Sequence, residues 1–213
     1  IMLDSANNIL VASCSRSFNF PLQNPFQSVK SYGQDGVVFK LQNDFSSMIF
    51  SSFYGGNNED ACYSVKIDSS NNIVFAGGTT SDNLVGVNSG LFPNYQGGEC
   101  DGFVIKLLPD GSSITNGSYI GRTDYDQVFF VEIDRNDNVF LLGQSRGGYF
   151  PVTPGVYSNG SSSNFIIKLS PDLDANLAST RFGNGSPDIH ISPSAFLVDV
   201  CGNVYVSGWG ANI

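Results

Sequence analysis

Acids and amides recur along this chain at intervals that suit either chemistry or turns. Asp4, Asp68, Asp134 and Asp199 are separated by 64, 66 and 65 residues, and Asn8, Asn72, Asn138 and Asn203 keep the same intervals. A second set, Asp60, Asp126 and Asp188, follows the glycines Gly55, Gly121 and Gly183 by five residues each. The runs Asp134-Arg135-Asn136-Asp137-Asn138 and Asp172-Leu173-Asp174-Ala175-Asn176 place carboxylates and amides at alternate positions, as a calcium loop does. Neither has the glycine at the sixth position or the glutamate at the twelfth that an EF-hand loop needs for its sharp turn and bidentate ligand. With no complete motif for calcium, no cofactor is expected, and side-chain caps on tight turns account for the repeated Asp-x-x-x-Asn.

Hydrolytic chemistry has little to stand on. His190 is the sole histidine, and neither a Gly-x-Ser-x-Gly elbow nor a cysteine partner accompanies it. No catalytic residue is assigned and no activity is expected. A paired-carboxylate glycosidase is the rival reading, because the distance between two acids is invisible in sequence. The four cysteines, Cys14, Cys62, Cys100 and Cys201, show neither CxxC pairing nor histidine at metal spacing, so no metal site is expected. They read as isolated thiols or, in an exported protein, as one disulfide, for which Cys62 with Cys100 is the first choice because both fall at the same end of one repeat.

The partners are bounded by charge. With 19 acidic and 10 basic residues the net charge is −9 and there is no basic run, which excludes nucleic acid as a partner. The apolar stretches 128–131 and 139–142 fall far short of the ~20 residues of a membrane helix, so no membrane span is expected.

A period near 65 residues calls for a stacked architecture, since one such unit cannot bury its apolar face alone. In the second copy, 63–67 and 72–77 read as a hairpin about the turn Asp68-Ser69-Ser70-Asn71. After a Gly-, Asn- and Ser-rich segment, 102–107 and 114–120 form another about Pro109-Asp110-Gly111. Ile73-Val74-Phe75-Ala76 and Val139-Phe140-Leu141-Leu142 are apolar at successive positions, which requires burial of both faces. The prediction is all-β: a partial β-propeller of four-stranded antiparallel blades. Residues 1–60 would form a first blade lacking most of its innermost strand, 61–126 and 127–194 two whole blades, and 195–213 the start of a fourth. On this reading the remaining blades lie elsewhere.

Three motifs carry a family likeness. They are Asp-x-x-Gly/Asn-Asn-hydrophobic-Tyr/Phe-Val-x-Gly, the element Phe150-Pro151-Val152-Thr153-Pro154-Gly155, and Phe-x-x-Lys-Leu followed by Tyr-x-Gly. Together they resemble the bacterial β-propeller repeat called SBBP over essentially the whole chain. The stretches 194–210 and Tyr125-Asp126-Gln127 are similar to large secreted surface proteins of Bacteroidetes with gliding-motility-associated, type IX secretion C-terminal regions. The resemblance implies an extracellular or outer-surface location, and a non-catalytic structural, adhesive or recognition module. Its partners would be the remaining blades, a surface glycan, or secretion and motility proteins; a carbohydrate-active propeller enzyme or lectin-like module is the alternative. Two elements depart from the pattern: Cys14 stands where later copies have Gly78, Gln144 and Trp209, and Leu84-Val85-Gly86-Val87 replaces the Phe-Pro-x-Thr element.

The long loops 15–35, 78–101 and 145–164 are expected on one face of the propeller. Their aromatics Phe18, Phe20, Tyr32, Phe92, Tyr95, Tyr149, Phe150 and Tyr157 are candidates for stacking on sugar or anchoring a protein. The competing expectation is that they fold back over the blade edges.

Overall fold

The computed structural model of the protein describes residues 1–31, 33–148 and 150–210. Strands β1 (Met2–Leu3), β2 (Ile9–Ser15), β3 (Asp35–Leu41) and β4 (Met48–Tyr54) form one antiparallel sheet in chain order. A second contains β5 (Asp60–Ile67), β6 (Ile73–Thr79), β7 (Asp101–Leu107) and β8 (Ile114–Ile120), and a third β9 (Asp126–Ile133), β10 (Val139–Ser145), β11 (Asn164–Leu169) and β12 (Asn176–Phe182). A hairpin of β13 (Ser192–Val198) and β14 (Val204–Trp209) follows. The first strands neighbour one another, β5 against β9 and β9 against β13, so the sheets are blades arranged around their innermost strands. The all-β, partial-propeller expectation holds.

Period-two burial on both faces explains the stacking. Along β6, Ile73 and Phe75 enter the layer shared with Leu10, Val38, Phe50 and Tyr54 of the first sheet. Their neighbours Val74 and Ala76 enter the layer shared with Val131, Leu141 and Phe165 of the third. A strand with polar residues on alternate positions could not sit between two sheets in this way.

Every first-to-second-strand turn is built alike. Asp68 Oδ1 accepts from the backbone N–H groups of Ser70 and Asn72, Oδ2 accepts from Asn72 Nδ2, and Asn71 adopts a left-handed φ of 63°. The same carboxylate is 2.8 Å from Lys106 Nζ on the third strand, and Lys40 and Lys168 reach Asp4 and Asp134 at the same distance. Lys40 also donates to the Pro109 carbonyl and Lys106 to that of Pro171, each in the next sheet, so one lysine ties a hairpin, a third strand and a neighbour. Burial opposes ionisation of Asp4, but hydrogen bonds from Lys40 and Asn8 together outweigh it and bring the carboxyl down to about 2. Asp68 and Asp134 are lowered by the same balance.

The innermost strands β5, β9 and β13 each carry a β-bulge. Cys62 pairs with Gly77 and Ser64 with Ala76, leaving Tyr63 unpaired; Phe129 and Ser194 occupy the same position in β9 and β13. The glycine opposite is required by close approach: a Cβ on Gly77 would lie 1.8 Å from the Ala61 carbonyl oxygen, and one on Gly143 2.3 Å from that of Gln127.

The long loops, which leave the second strands β2, β6 and β10, return along the outermost strands, where Gln23 bridges Ser51, the Tyr119 N–H donates to the Phe92 carbonyl, and Thr153 and Asn159 N–H groups donate to the Ser179 and Arg181 carbonyls. Each outer edge would otherwise show unpaired backbone groups, and the loop satisfies part of that row.

Candidate functional site

This loop course disposes of most candidate aromatics as structural side chains. Phe150 lies flat on Phe165 with ring centroids 3.7 Å apart and is 1% exposed. Phe20 packs against Phe39 and Phe53, Tyr95 meets Tyr119 edge-on, and Phe92 joins the core. Phe18 and Tyr157 stand exposed, in different units, and Lys30 Nζ lies 4.5 Å over the Phe18 ring. Tyr32 and Tyr149 lie outside the described residues.

What the structure does assemble is a polar recess at the end of the sheets where β5 and β9 begin. Glu59, Asp60, Tyr63, Thr80, Cys100 and Gln127 contribute to its wall. Asp60 is almost fully buried; Thr79 Oγ1 donates to its Oδ1, and Ser81 Oγ and the Gly56 N–H donate to its Oδ2 at 2.9 and 2.8 Å. Burial pushes its carboxyl up to about 6, these donors oppose the rise, and the nearby Asp35 charge adds to it. Glu59 beside it is held at its backbone by Thr80, whose Oγ1 accepts from the Glu59 N–H at 3.0 Å, and its exposed carboxylate lies 3.6 Å from Arg16.

The bulge in β5 brings the Tyr63 ring to this recess. Tyr63 and Phe129 stack with centroids 5.7 Å apart and planes 22° apart, and Tyr63 also borders a second groove along the innermost strands, past Lys66 and Glu132. Tyr125 Oη donates to Gln127 Oε1 at 2.9 Å, and Gln127 Nε2 reaches Cys100 Sγ at 3.4 Å. The bulge was the functional signal missed in sequence; its trace was the glycine ending each second-strand motif, at Gly77, Gly143 and Gly208.

Behind the recess, carboxylates are paired at the closing glycines. A Cβ on Gly55 would fall 2.6 Å from Asp60 Oδ2 and 3.0 Å from Asp35 Oδ2, and one on Gly121 2.4 Å from Asp101 Oδ1 and 3.1 Å from Asp126 Cβ. Burial pushes Asp101 up to about 7, with the Asp126 charge adding, and raises Asp126 as well. Among the described residues, Oδ1 of Asp101 and Oδ1 of Asp126 are buried without a hydrogen-bond partner. In the third unit Ser163 replaces the third-strand acid and donates to the Asp188 carbonyl at 2.8 Å.

Cys62 and Cys100 are both free, buried thiols: Cys100 faces Gln127, while Cys62 Sγ faces Gly36 of the first sheet. Burial pushes Cys100 up to about 11, which removes it as a nucleophile at neutral pH. Among the described residues no group of three or more His, Cys, Asp or Glu side chains could hold a metal ion, and no helix is long and apolar enough to cross a membrane.

No family model matches the chain. It is similar to a probable endopolygalacturonase of Neosartorya fischeri, 32% identical over 162 residues, which are 73% of this chain and 39% of the relative. Probable endopolygalacturonases of two Aspergillus fumigatus strains match at 31% over the same length. The chain thus spans about two fifths of the length of the curated relatives it matches. These relatives are named as enzymes, and that overturns two expectations: that the chain is a non-catalytic adhesion or motility module, and that it has no enzymatic activity.

Proposed function

We propose that this chain is part of a carbohydrate-active protein whose site is the recess at Asp60, and that its substrate class is polygalacturonate. One observation carries the reading: a carboxyl near pKa 6 lines a polar recess beside the Arg16-paired carboxylate of Glu59. Glycoside cleavage needs two carboxyl groups in unlike environments, one protonated to serve the leaving oxygen and one ionised. Asp60, desolvated, is the proton donor; Glu59, open to solvent, is the base or nucleophile. Tyr63, which lines the recess and stacks on Phe129 behind it, offers a ring face on which a pyranose can stack. The names of the relatives supply the substrate to try, and the extracellular location implied by the SBBP resemblance fits a polysaccharide outside the cell.

Release of reducing ends from polygalacturonate tests the reading. Cleavage is expected to fall as pH rises through about 6, where Asp60 loses its proton, and to disappear in Asp60→Asn and Glu59→Gln while binding persists. Binding without cleavage, lost in Tyr63→Ala, would make this a sugar-recognition site built on the stacked rings. Neither cleavage nor binding by the wild type would overturn the proposal.

A further inference from the structure

The acid pair behind the recess is closed in one copy and open in the next. In the first copy every carboxylate oxygen is satisfied: Ser31 Oγ and its N–H donate to Asp35, and Thr79 Oγ1, Ser81 Oγ and the Gly56 N–H donate to Asp60. In the second copy Asp101 Oδ2 accepts from the Gln96 N–H and Asp126 Oδ2 from the Arg122 N–H at 2.7 Å, and the Oδ1 of each has no donor among the described residues. Ser145 faces Asp126 across the ladder as Thr79 faces Asp60, yet its Oγ is buried without a partner too, and Gly147 stands where Ser81 would supply another hydroxyl. Among the described residues the only other side-chain atom buried in this way is Arg181 Nε. Asp101, Asp126 and Ser145 are each at most 1% exposed, and among the described residues no lysine or arginine forms an ion pair with either acid. Three partnerless oxygens are thus buried together at one strand end, where a second copy of the same arrangement leaves none, and a bound ligand resolves that mismatch.

We infer that Asp101 Oδ1, Asp126 Oδ1 and Ser145 Oγ are ligands of a calcium ion held between the second and third sheets. The donors select the ion. All three are hard oxygens, and two ionised carboxylates match the charge of one divalent cation. Two acids and a hydroxyl leave the rest of the shell to peptide carbonyls and water, an uneven set that calcium accepts and that magnesium, which demands near-octahedral geometry, does not. A proton shared by the two acids is the competing occupant, but it gives the Ser145 hydroxyl nothing to do. The site uses neither Asp60 nor Glu59, and its test reads melting and stoichiometry, so its failure is separate from any failure of the proposed cleavage.

The full chain is stripped with chelator and titrated at pH 8 with calcium chloride, against sodium chloride of equal ionic strength, following thermal unfolding and, by calorimetry, the number of ions bound. A single tight calcium per chain and a saturable rise in Tm are expected, about 5–10 °C at a hundredfold excess over the dissociation constant. Asp101→Asn and Ser145→Ala should each weaken binding about tenfold or more, and Ser145→Thr, which keeps the hydroxyl, should bind as the wild type does. In chelator Asp101→Asn has one buried charge fewer to hold, so its silence toward calcium reports lost ligation and not a lost fold. No rise above the sodium control would overturn the inference and leave the shared proton as the occupant. A rise that Asp101→Asn keeps in full would move calcium to acids elsewhere on the chain, and undiminished binding by Ser145→Ala would remove the hydroxyl from the shell; either result overturns the site as assigned.

Discussion

Replacing Asp101 with asparagine should stabilise the protein at alkaline pH and leave it nearly unchanged in acid. Asp101 is fully buried beside Asp126 and its carboxyl is pushed from 3.8 up to about 7. A raised carboxylate pKa means that the folded state holds a proton the unfolded chain releases, so its stability contribution is complete below pH 3.8 and is lost as pH rises through about 7. Three pH units at ~1.4 kcal/mol each give a loss of about 4 kcal/mol by pH 8. Asparagine has no charge to bury, and its amide can donate toward the orphaned Oδ1 of Asp126. Thermal melts of wild type and Asp101→Asn at pH 4 and pH 8 should differ little at the first and on the order of 10 °C in the variant's favour at the second, at ~2–4 °C per kcal/mol for a chain of this size. Taking the difference between the two proteins cancels the hairpin aspartates, whose lowered pKa values act in the opposite direction, with stability lost as pH falls below about 4. An equal gap at both pH values, or a variant less stable at pH 8, would refute the reasoning.

Asp68→Ala should cost about 3–5 kcal/mol in urea unfolding, because it leaves the Lys106 charge with the Pro171 carbonyl and no carboxylate and uncaps the hairpin; the double variant with Lys106→Met should recover part of that loss. Phe150→Ala should cost about 3–5 kcal/mol through the lost stack on Phe165, whereas Tyr157→Ala, 73% exposed, should change the unfolding midpoint little.

The fold was legible because its signals are local and recur. Asp-x-x-x-Asn marks a turn wherever it stands, and continuous apolar runs such as 73–76 admit burial only on both faces. The Lys-Leu element was visible in all three third strands, but its pairing with Asp4, Asp68 and Asp134 was not, since the partners are 34 to 38 residues apart in sequence and meet only across the sheet. The recess was hidden for the same reason. Asp60 reads as one more regular acid until β6 brings Thr79 and Ser81 to it and Asp35 arrives from the neighbouring sheet. The loop aromatics misled because hydrophobic rings in a polar loop suit a ligand and a strand edge equally, and only the backbone course of the loop decides between them.

The bulged position in β5, β9 and β13 lies outside the ladder and the core, so its identity answers to neither. Tyr63, Phe129 and Ser194 already differ there, while the glycines opposite them do not. The second, third and fourth units thus each hold one position that substitution can change without disturbing the ladder or the core, and a lineage of such chains can rewrite that set of side chains one residue at a time.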